Sequence, residues 1–408
     1  MKRVLFISSL YYPHIGGIET MITELSHFCH KDNFYTKVLT KRWPFTLPEY
    51  DKYKGIEIYR VVSARDKEEF ESIINWLKEN GSKIKSDVVH VIGMRRPLPF
   101  IGLLISRLWK IPIICTIAGG EIPDKIDSRP AKVWEEGEKF IPDVLRQSDY
   151  INCVSGALVR ELKELMPDLK NIETLYAGVD FSIIRGAQPE KIKDQYILSL
   201  RRLDYSKGVD ILIRAFNLIK DIFPKLYLVI AGEGAEKNNL KNIVEDCSLC
   251  SRVIFIGAVG IERGISLLKG ADLTVVPSRS EGGGLVNIEA QAAGCPVIAS
   301  RVGGIPEYVK DGESGILFES GNFQELANKI SLLLNDKIFR EQIIEGGYKY
   351  AQKFNWEMLT PQYINLYEKA ITNYDKNKNF RPWSDLTAGL WNKLTNEYGR
   401  NPKNIDSI

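Results

Sequence analysis

Two carboxylates bracket a run of three glycines in the second half of this 408-residue chain. Glu281 stands directly before residues 282–284, and Glu289 follows after seven intervening residues. A glycine loop that opens into a helix presents free backbone N–H groups and the partial positive charge of the helix N-terminus, and both attract phosphate. Because carboxylates repel phosphate, we expect Glu281 and Glu289 to accept hydrogen bonds from a sugar and a ribose on either side of a diphosphate. The alternative is that Glu281 is only a turn residue and Glu289 only a solvated helix residue. We would favour this alternative for a single glutamate, but not for two that bracket three glycines.

A second group of charged residues follows another predicted strand, residues 196–200. Arg201 and Arg202 come directly after it, and Lys207 lies five residues beyond Arg202, next to Gly208. Parallel sheets bind ligands at the carboxyl ends of their strands. Two cations at that edge can neutralise a diphosphate and stabilise it as a leaving group without a metal. The alternative is a surface basic cluster, and this is our interpretation of Arg201.

Glycines also follow the first predicted strand, residues 4–8. The loop over 10–18 contains Gly16 and Gly17 before a predicted helix over 19–29. The loop lacks the G-x-G-x-x-G pattern, so an NAD site is disfavoured. A Gly-Gly pair by itself is more often a simple turn.

The elements that must position these residues alternate along the chain, which predicts an α/β protein with parallel sheets. Further strands are predicted over residues 35–40, 56–62, 87–92, 112–117, 150–154, 172–175, 227–231, 253–256 and 273–276. Further helices are predicted over residues 68–84, 98–109, 133–147, 157–165, 209–222, 236–247, 261–270, 285–293, 323–334, 337–353 and 363–374. Ser155 is predicted to cap the helix that follows it. Residues 41–54 are predicted to be a loop, and residues 181–194 an interdomain linker.

Composition bounds the class of protein. A chain with 44% hydrophobic and 26% charged residues is typical of a soluble globular protein, and its length allows two domains. The net charge of +3, without a basic run interleaved with aromatics, disfavours a nucleic-acid partner. We expect the six cysteines to be reduced, most of them buried, and the single C-x-x-C of Cys247 and Cys250 makes zinc improbable. No signal peptide or membrane span is expected, which favours a cytoplasmic location.

One loop mixes cations with aromatics. Residues 41–45 read Lys-Arg-Trp-Pro-Phe, a composition that can contact an anionic lipid surface. An exposed loop that borders an acceptor is the interpretation we favour, and a peripheral membrane contact at the inner face of the membrane is the alternative.

Residues 281–289 resemble the E-x7-E signature of the retaining glycosyltransferases of family 4, the group 1 glycosyl transferases. Residues 12–19 are similar to the family pattern Y-P-x-x-G-G-x-E, whose glycines approach the donor diphosphate and the acceptor. Residues 201–208 are similar to G-R-L-x-x-x-K-G. That match falls on Arg202 and Lys207, with Arg201 in place of the glycine.

The chain departs from the family at three further positions. Gly283 stands where the family commonly has an aromatic residue, and Ala177 replaces the asparagine of an N-G-V-D segment. Ala118 replaces the histidine of T-x-H-G, which contacts the transferred sugar in the family. Our hypothesis is that backbone N–H groups of Gly119 and Gly120 take over that contact.

The resemblance implies the GT-B architecture, two facing Rossmann-like domains with a cleft between them. The first domain is expected over residues 1–182, completed by C-terminal helices over about 357–408, and the second over 183–356. The aromatic residues of the tail 375–408 are expected to pack on the first domain, with a partner or membrane contact as the alternative.

The implied function is transfer of a hexose from a UDP-, GDP- or ADP-sugar to a hydroxyl of a glycan, a lipid-linked sugar or a small molecule. Attack on the leaving-group face retains the anomeric configuration, a donor phosphate oxygen takes the proton, and neither a metal nor another cofactor is needed. Two alternatives are a sugar-nucleotide epimerase of the same two-lobed fold and a non-catalytic protein that binds glycans or lipid head groups.

The site residues follow from these matches. Glu281, Arg202 and Lys207 are the predicted catalytic residues. The predicted donor site comprises Gly16, Gly17, Arg202, Lys207, Gly257, Val259, Glu281, Gly283, Gly284, Leu285, Val286 and Glu289. The predicted acceptor site comprises Glu19, His90, Gly119 and Gly120. The alternative for His90 is a core histidine with satisfied hydrogen bonds.

Overall fold

The computed structural model describes residues 1–14, 16–62, 75–94, 98–123 and 140–375. Within these ranges the chain has the GT-B architecture, two α/β domains that each contain one sheet. The sheet of the first domain contains β1 (Lys2–Ser8), β2 (Phe34–Arg42), β3 (Tyr50–Tyr53), β4 (Ile56–Val62), β5 (Val88–Ile92), β6 (Ile113–Ile117), β7 (Tyr150–Cys153) and β8 (Ile172–Thr174). The sheet of the second domain contains β9 (Tyr196–Leu200), β10 (Tyr227–Ala231), β11 (Val253–Gly257), β12 (Leu273–Val276), β13 (Val297–Ser300) and β14 (Ile316–Phe318).

Helices cover both sheets. In and against the first domain lie α1 (Gly17–Lys31), α2 (Leu98–Trp109), α3 (Phe140–Gln147) and α4 (Gly156–Leu165). The second domain contains α5 (Phe181–Gly186), α6 (Val209–Ile219), α7 (Lys237–Asp246), α8 (Ile261–Gly270), α9 (Leu285–Ala292), α10 (Ile305–Tyr308), α11 (Phe323–Asn335) and α12 (Lys337–Ala351). The last described helix, α13 (Trp356–Asn373), returns to the first domain. No helix in the described ranges combines the length and apolarity that crossing a bilayer requires.

Strand order creates one ligand-binding crevice in each sheet. The first sheet has the order β3-β4-β2-β1-β5-β6-β7-β8, and the second has the order β11-β10-β9-β12-β13-β14. The described strand pairs are parallel except that of β3 with β4. Strand order reverses between β1 and β5 and again between β9 and β12, and parallel sheets bind ligands beyond the carboxyl ends of strands at such points. Each crevice therefore lies beside glycine-containing loops that the sequence singled out.

Local sequence explains most of these elements. The core strands β5 and β6 are buried along their whole length, as expected for apolar runs in a parallel sheet that is covered on both faces. Ser155 caps α4 as predicted, since its hydroxyl accepts a hydrogen bond from the Leu158 backbone N–H at 3.3 Å.

Three predicted elements were wrong in extent. The loop predicted over 41–54 contains β3, an antiparallel edge strand too short to show a clear alternation. The linker predicted over 181–194 begins with α5, whose Phe181 and Ile184 pack in the core of the second domain. The returning helix begins at Trp356 rather than 363 and continues through Pro361, a residue type that disfavours a helix interior.

Some predictions fall outside the described residues. These are residues 68–74 of the helix predicted over 68–84, residues 133–139 of the helix predicted over 133–147, and the tail from residue 376 onward. The six cysteines are free, four of them are buried, and Cys250 is exposed.

Candidate active site

The glycine loop lies between a buried strand and an uncapped helix. Strand β12 is buried throughout, and Gly284 forms the N-cap of α9 with φ +85°, a conformation that favours glycine. Among the described residues, no side chain caps α9. The amides of its first turn, which include those of the predicted donor residues Leu285 and Val286, are therefore available to an anion.

Glycines of the first domain face this loop across the cleft. A Cβ atom on Gly119 would lie 2.7 Å from the Cα atom of Gly282, and Gly119 has φ +100°. A Cβ atom on Gly17 would lie 4.0 Å from Cδ1 of Leu285. The structure thus brings predicted residues of both domains together, and the approach of the two backbones at Gly119 requires glycine on steric grounds.

Three donors converge on one oxygen of Glu281. Its Oε2 accepts hydrogen bonds from Lys207 Nζ at 2.9 Å, Arg201 Nη2 at 3.0 Å and Ser278 Oγ at 3.1 Å. The Glu281 side chain is 14% exposed. Burial by itself would raise the pKa of Glu281, but the charges of Lys207 and Arg201 outweigh burial and hold the pKa below its ordinary value. Glu281 is therefore ionised, and among the described residues its Oε1 has no hydrogen-bond partner, so it can accept a bond from a ligand.

The two neighbouring arginines differ in exposure and in partner. Arg201 is 6% exposed and pairs with Glu281, whereas Arg202 is 61% exposed and pairs with Asp204 at 3.3 Å. Our interpretation of Arg201 as a surface cation was wrong. Consecutive residues at a strand end point to opposite sides, and Arg201 continues the β9 ladder through its N–H bond to Ala231 O. Arg202 is left exposed, and its role in the donor site remains a prediction.

Glu289 has a different environment on α9. It is half-buried, and no described residue donates a hydrogen bond to its carboxylate. Burial raises its pKa to about 7. Burial raises the pKa of Glu24 in the first domain, and the charge of the nearby Glu289 carboxylate raises it further. Glu24 accepts a hydrogen bond from Trp356 Nε1. Glu289 is thus a desolvated acceptor without a donor in the part of the chain that the structure describes.

His90 is not at the acceptor site. It is fully buried in β5, where Nδ1 bonds to the Tyr367 hydroxyl at 2.9 Å and Nε2 to the Thr116 hydroxyl at 2.6 Å. Burial lowers its pKa to about 3, so it is neutral. The acceptor-binding assignment of His90 was wrong, and the core-histidine alternative holds, because α13 covers this strand.

The other predicted residues lie near the same edges. The carboxylate of Glu19 folds toward the start of α1, since a Cβ atom on Gly16 would lie 2.5 Å from Glu19 Oε2. Gly257 ends β11 with φ +76°, and Val259 packs against the core of the second domain. Gly120 has φ +77° and space around it. These roles remain predictions.

Tyr308 occupies the space beside Gly283. A Cβ atom on Gly283 would lie 3.0 Å from the Tyr308 ring, which stacks on Phe354 at 4.9 Å between centroids. The Tyr308 hydroxyl donates to Val154 O of the first domain at 2.7 Å. An aromatic side chain from α10 therefore packs at the loop where Gly283 itself supplies none.

Glu307 joins the domains at a point that the sequence did not reveal. Its carboxylate, on α10, accepts hydrogen bonds from the Gly156 and Ala157 backbone N–H groups at 2.7 and 2.8 Å and from the Tyr176 hydroxyl at 3.1 Å. The carboxylate sits at the positive N-terminal end of α4. Only the helix start marked by Ser155 hinted at such a contact.

Comparison with known proteins agrees with the fold. The protein-family model described as Glycosyltransferase Family 4 matches residues 15–182. The protein-family model described as Glycosyl transferases group 1 matches residues 180–350. The chain is 31% identical over 364 residues to an uncharacterized glycosyltransferase of Methanocaldococcus jannaschii, covering 88% of this chain and 97% of that one.

Two further proteins are similar over nearly the whole chain. N-acetyl-alpha-D-glucosaminyl L-malate synthase of Bacillus anthracis is 26% identical over 384 residues, covering 90% of this chain and 97% of that one. The crystal structure of Anabaena HepE in complex with UDP and glucose superimposes with a TM-score of 0.74 at 18% identity, covering 90% of this chain and 100% of that chain.

The two-domain fold with its interdomain glycine loops defines a transferase of the GT-B class. The chain belongs to glycosyltransferase family 4, the group 1 glycosyl transferases, and is a glycosyltransferase.

Proposed function

We propose that this glycosyltransferase is a retaining, metal-independent enzyme that moves a hexose from a nucleoside diphosphate sugar to a hydroxyl acceptor. The observation that carries the proposal is the ionised, partly satisfied Glu281 beside two buried cations and an uncapped helix start. Such a site attracts a diphosphate and offers a carboxylate oxygen to a sugar hydroxyl next to it.

We assign each part of the donor to a group of residues in this site. Lys207, Arg202 and the amides at the start of α9 would bind the diphosphate. Glu289, which has no donor among the described residues, would accept hydrogen bonds from the ribose hydroxyls, and the turn at Gly257 and Val259 would lie against the base. Glu281 Oε1 would bind the hexose.

The acceptor would approach from the first domain. Gly119 and Gly120 would contribute backbone N–H groups, and Glu19 a carboxylate. Trp43 and Phe45 are exposed, and Tyr12 stacks on Tyr53 at 3.9 Å. We assign this aromatic loop to the border of the acceptor site rather than to a membrane surface.

The proposed reaction needs no side-chain base. The acceptor oxygen forms a bond to the anomeric carbon on the face that the diphosphate leaves, and the bond from that carbon to the phosphate oxygen breaks. A donor phosphate oxygen takes the acceptor proton. The cations and helix amides stabilise the charge that develops on the leaving diphosphate, which a preorganised polar site does well.

Support for a uridine donor comes from HepE, which was solved with UDP and glucose, and the proposal extends to GDP- and ADP-sugars. The test is release of nucleoside diphosphate from UDP-, GDP- and ADP-hexoses, with and without a panel of sugar, lipid-linked and small-molecule acceptors. We expect acceptor-dependent release that EDTA does not change, and a product whose anomeric configuration matches the donor by NMR. Sugar interconversion without transfer would indicate an epimerase, and binding without release would indicate a non-catalytic protein.

A further inference from the structure

Arg201 is the most deeply buried charge beside the glycine loop. It follows β9 at the crevice between β9 and β12, and its side chain is 6% exposed. Its Nη2 donates to Glu281 Oε2 at 3.0 Å and to Ser278 Oγ at 2.8 Å. Its Nε and Nη1 are buried without a hydrogen-bond partner in the part of the chain that the structure describes. This arginine is therefore only partly satisfied.

Arg201 changes the net charge of the buried cluster. Lys207 and Glu281 alone form a neutral pair, and Arg201 adds one positive charge, for a total of +1. An uncompensated buried charge is unfavourable, and removing it from water is not repaid by a single partner. Folds retain such charges at sites where a ligand supplies the missing charge. A diphosphate is an anion that could do so here.

Lys207 and Arg201 compete for the same acceptor. Both donate to Glu281 Oε2, and the ammonium group of Lys207 is a mobile point charge on a flexible stem, whereas the guanidinium group of Arg201 is fixed by Ser278 as well. If Glu281 had Lys207 as its only cation, an incoming diphosphate would have to draw Lys207 from a buried carboxylate.

We infer that Arg201 is a positioning residue of the donor site, which neutralises Glu281 permanently and thereby frees Lys207 to bind the donor diphosphate. This inference rests on the proposed function. Arg201 and Ser278 stay on Oε2 throughout the reaction, and Oε1 remains directed to the hexose. Arg201 acts through its two neighbours and does not need to touch the donor.

The first test measures binding of UDP, GDP and ADP by calorimetry to the full chain. Arg201→Met should weaken the best-bound nucleotide about tenfold or more, since Lys207 then stays with Glu281. Arg201→Lys keeps the positive charge and should lose less. Arg214→Met is the matched control, because Arg214 is exposed on α6, and it should bind as the wild type does.

A double variant separates this role from a purely structural one. In Arg201→Met/Glu281→Gln the carboxylate that holds Lys207 is gone, so nucleotide affinity should return to within about threefold of the wild type. Turnover should stay low, because Glu281 is itself a predicted catalytic residue. Damage to the fold would not be repaired by a second substitution in the same cluster.

The pH profile gives an independent readout. Burial favours the neutral form of Glu281, and Arg201 is one of two cations that oppose it. In Arg201→Met the acidic limb of the turnover profile should move to higher pH. Arg214→Met should leave the limb in place.

The outcomes are distinguishable. Wild-type affinity and an unshifted acidic limb in Arg201→Met, or weak binding that Glu281→Gln does not restore, overturn the inference and leave the proposed function standing. A wild-type chain that neither binds UDP, GDP or ADP nor releases them from any donor overturns the proposed function itself. If Arg201→Met does not fold by circular dichroism, Arg201→Gln, which keeps a polar side chain without the charge, replaces it in the same comparisons.

Discussion

Glu281 and Glu289 belong to one loop-and-helix segment, yet their surroundings shift their pKa values in opposite directions. Glu281 receives three hydrogen bonds and two positive charges, which hold its pKa below the ordinary value. Glu289 receives no hydrogen bond from the described residues, and burial raises its pKa to about 7. Glu281 thus has partners for one of its two carboxylate oxygens before a ligand binds, whereas Glu289 has none among the described residues. Pairs of carboxylates separated in this way commonly carry different roles in one reaction.

The largest expected effect is on turnover. Glu281→Ala removes the carboxylate oxygen that would hold the hexose and leaves Arg201 and Lys207 without their anion. We expect kcat/KM to fall about a hundredfold or more, about 3 kcal/mol of transition-state stabilisation. Glu345→Ala, on the exposed face of α12, is the control. Equal kcat/KM values in Glu281→Ala and Glu345→Ala would show that the Glu281 carboxylate does not contribute to turnover.

The second effect is on stability. Glu281→Gln leaves two buried cations without a charged partner, and we expect the free energy of unfolding to fall by about 2 kcal/mol near neutral pH. The folded-state pKa of Glu281 is lowered, so its contribution is present above the unfolded pKa and disappears as pH falls through the folded value. Urea denaturation over a pH series measures this. A loss that persists unchanged in acid would contradict it.

The third effect is on nucleotide binding. Glu289→Ala removes the acceptor for ribose hydroxyls, and we expect the affinity for the nucleoside diphosphate to fall about tenfold with folding intact. Calorimetry with the diphosphate and with the matching 2′-deoxynucleotide checks the assignment. The deoxynucleotide should bind the wild type and Glu289→Ala more nearly alike.

The smallest effect has the opposite sign to that of Glu281→Gln. The folded-state pKa of Glu289 is raised to about 7, so its ionised form is disfavoured in the fold, and the penalty grows as pH rises from the unfolded pKa to about 7. Glu289→Gln should therefore stabilise the ligand-free chain by about 1 kcal/mol near pH 8 and by almost nothing near pH 4. Thermal melts of Glu289→Gln beside Glu345→Gln test this. Destabilisation at pH 8 would show that Glu289 has a donor after all.

Sequence patterns with local causes predicted much of the molecule. The core strands, the glycine loops at Gly17 and Gly284, and the cap at Ser155 follow from residues that lie next to each other in the chain. The α/β class and the GT-B architecture followed from the alternation of elements and the family resemblance.

The wrong predictions depend on residues that are distant in sequence. His90 is satisfied by Tyr367, which only the return of α13 brings to it, and Tyr308 reaches Gly283 from another helix. Arg201 and Arg202 are identical in type and adjacent, so only the direction of the last residues of β9 distinguishes the buried one. The contact of Glu307 with α4 is an interdomain contact, and the residues around Glu307 carry no signal for it.

That contact of Glu307 has a consequence for how the chain melts. Separating the domains removes the acceptor of two amides at the start of α4, and α13 remains packed in the first domain while Phe354 anchors the preceding turn in the second. Neither half can lose its packing without exposing groups of the other. We expect scanning calorimetry of the chain to record a single cooperative heat-absorption peak, although the two domains have separate sheets.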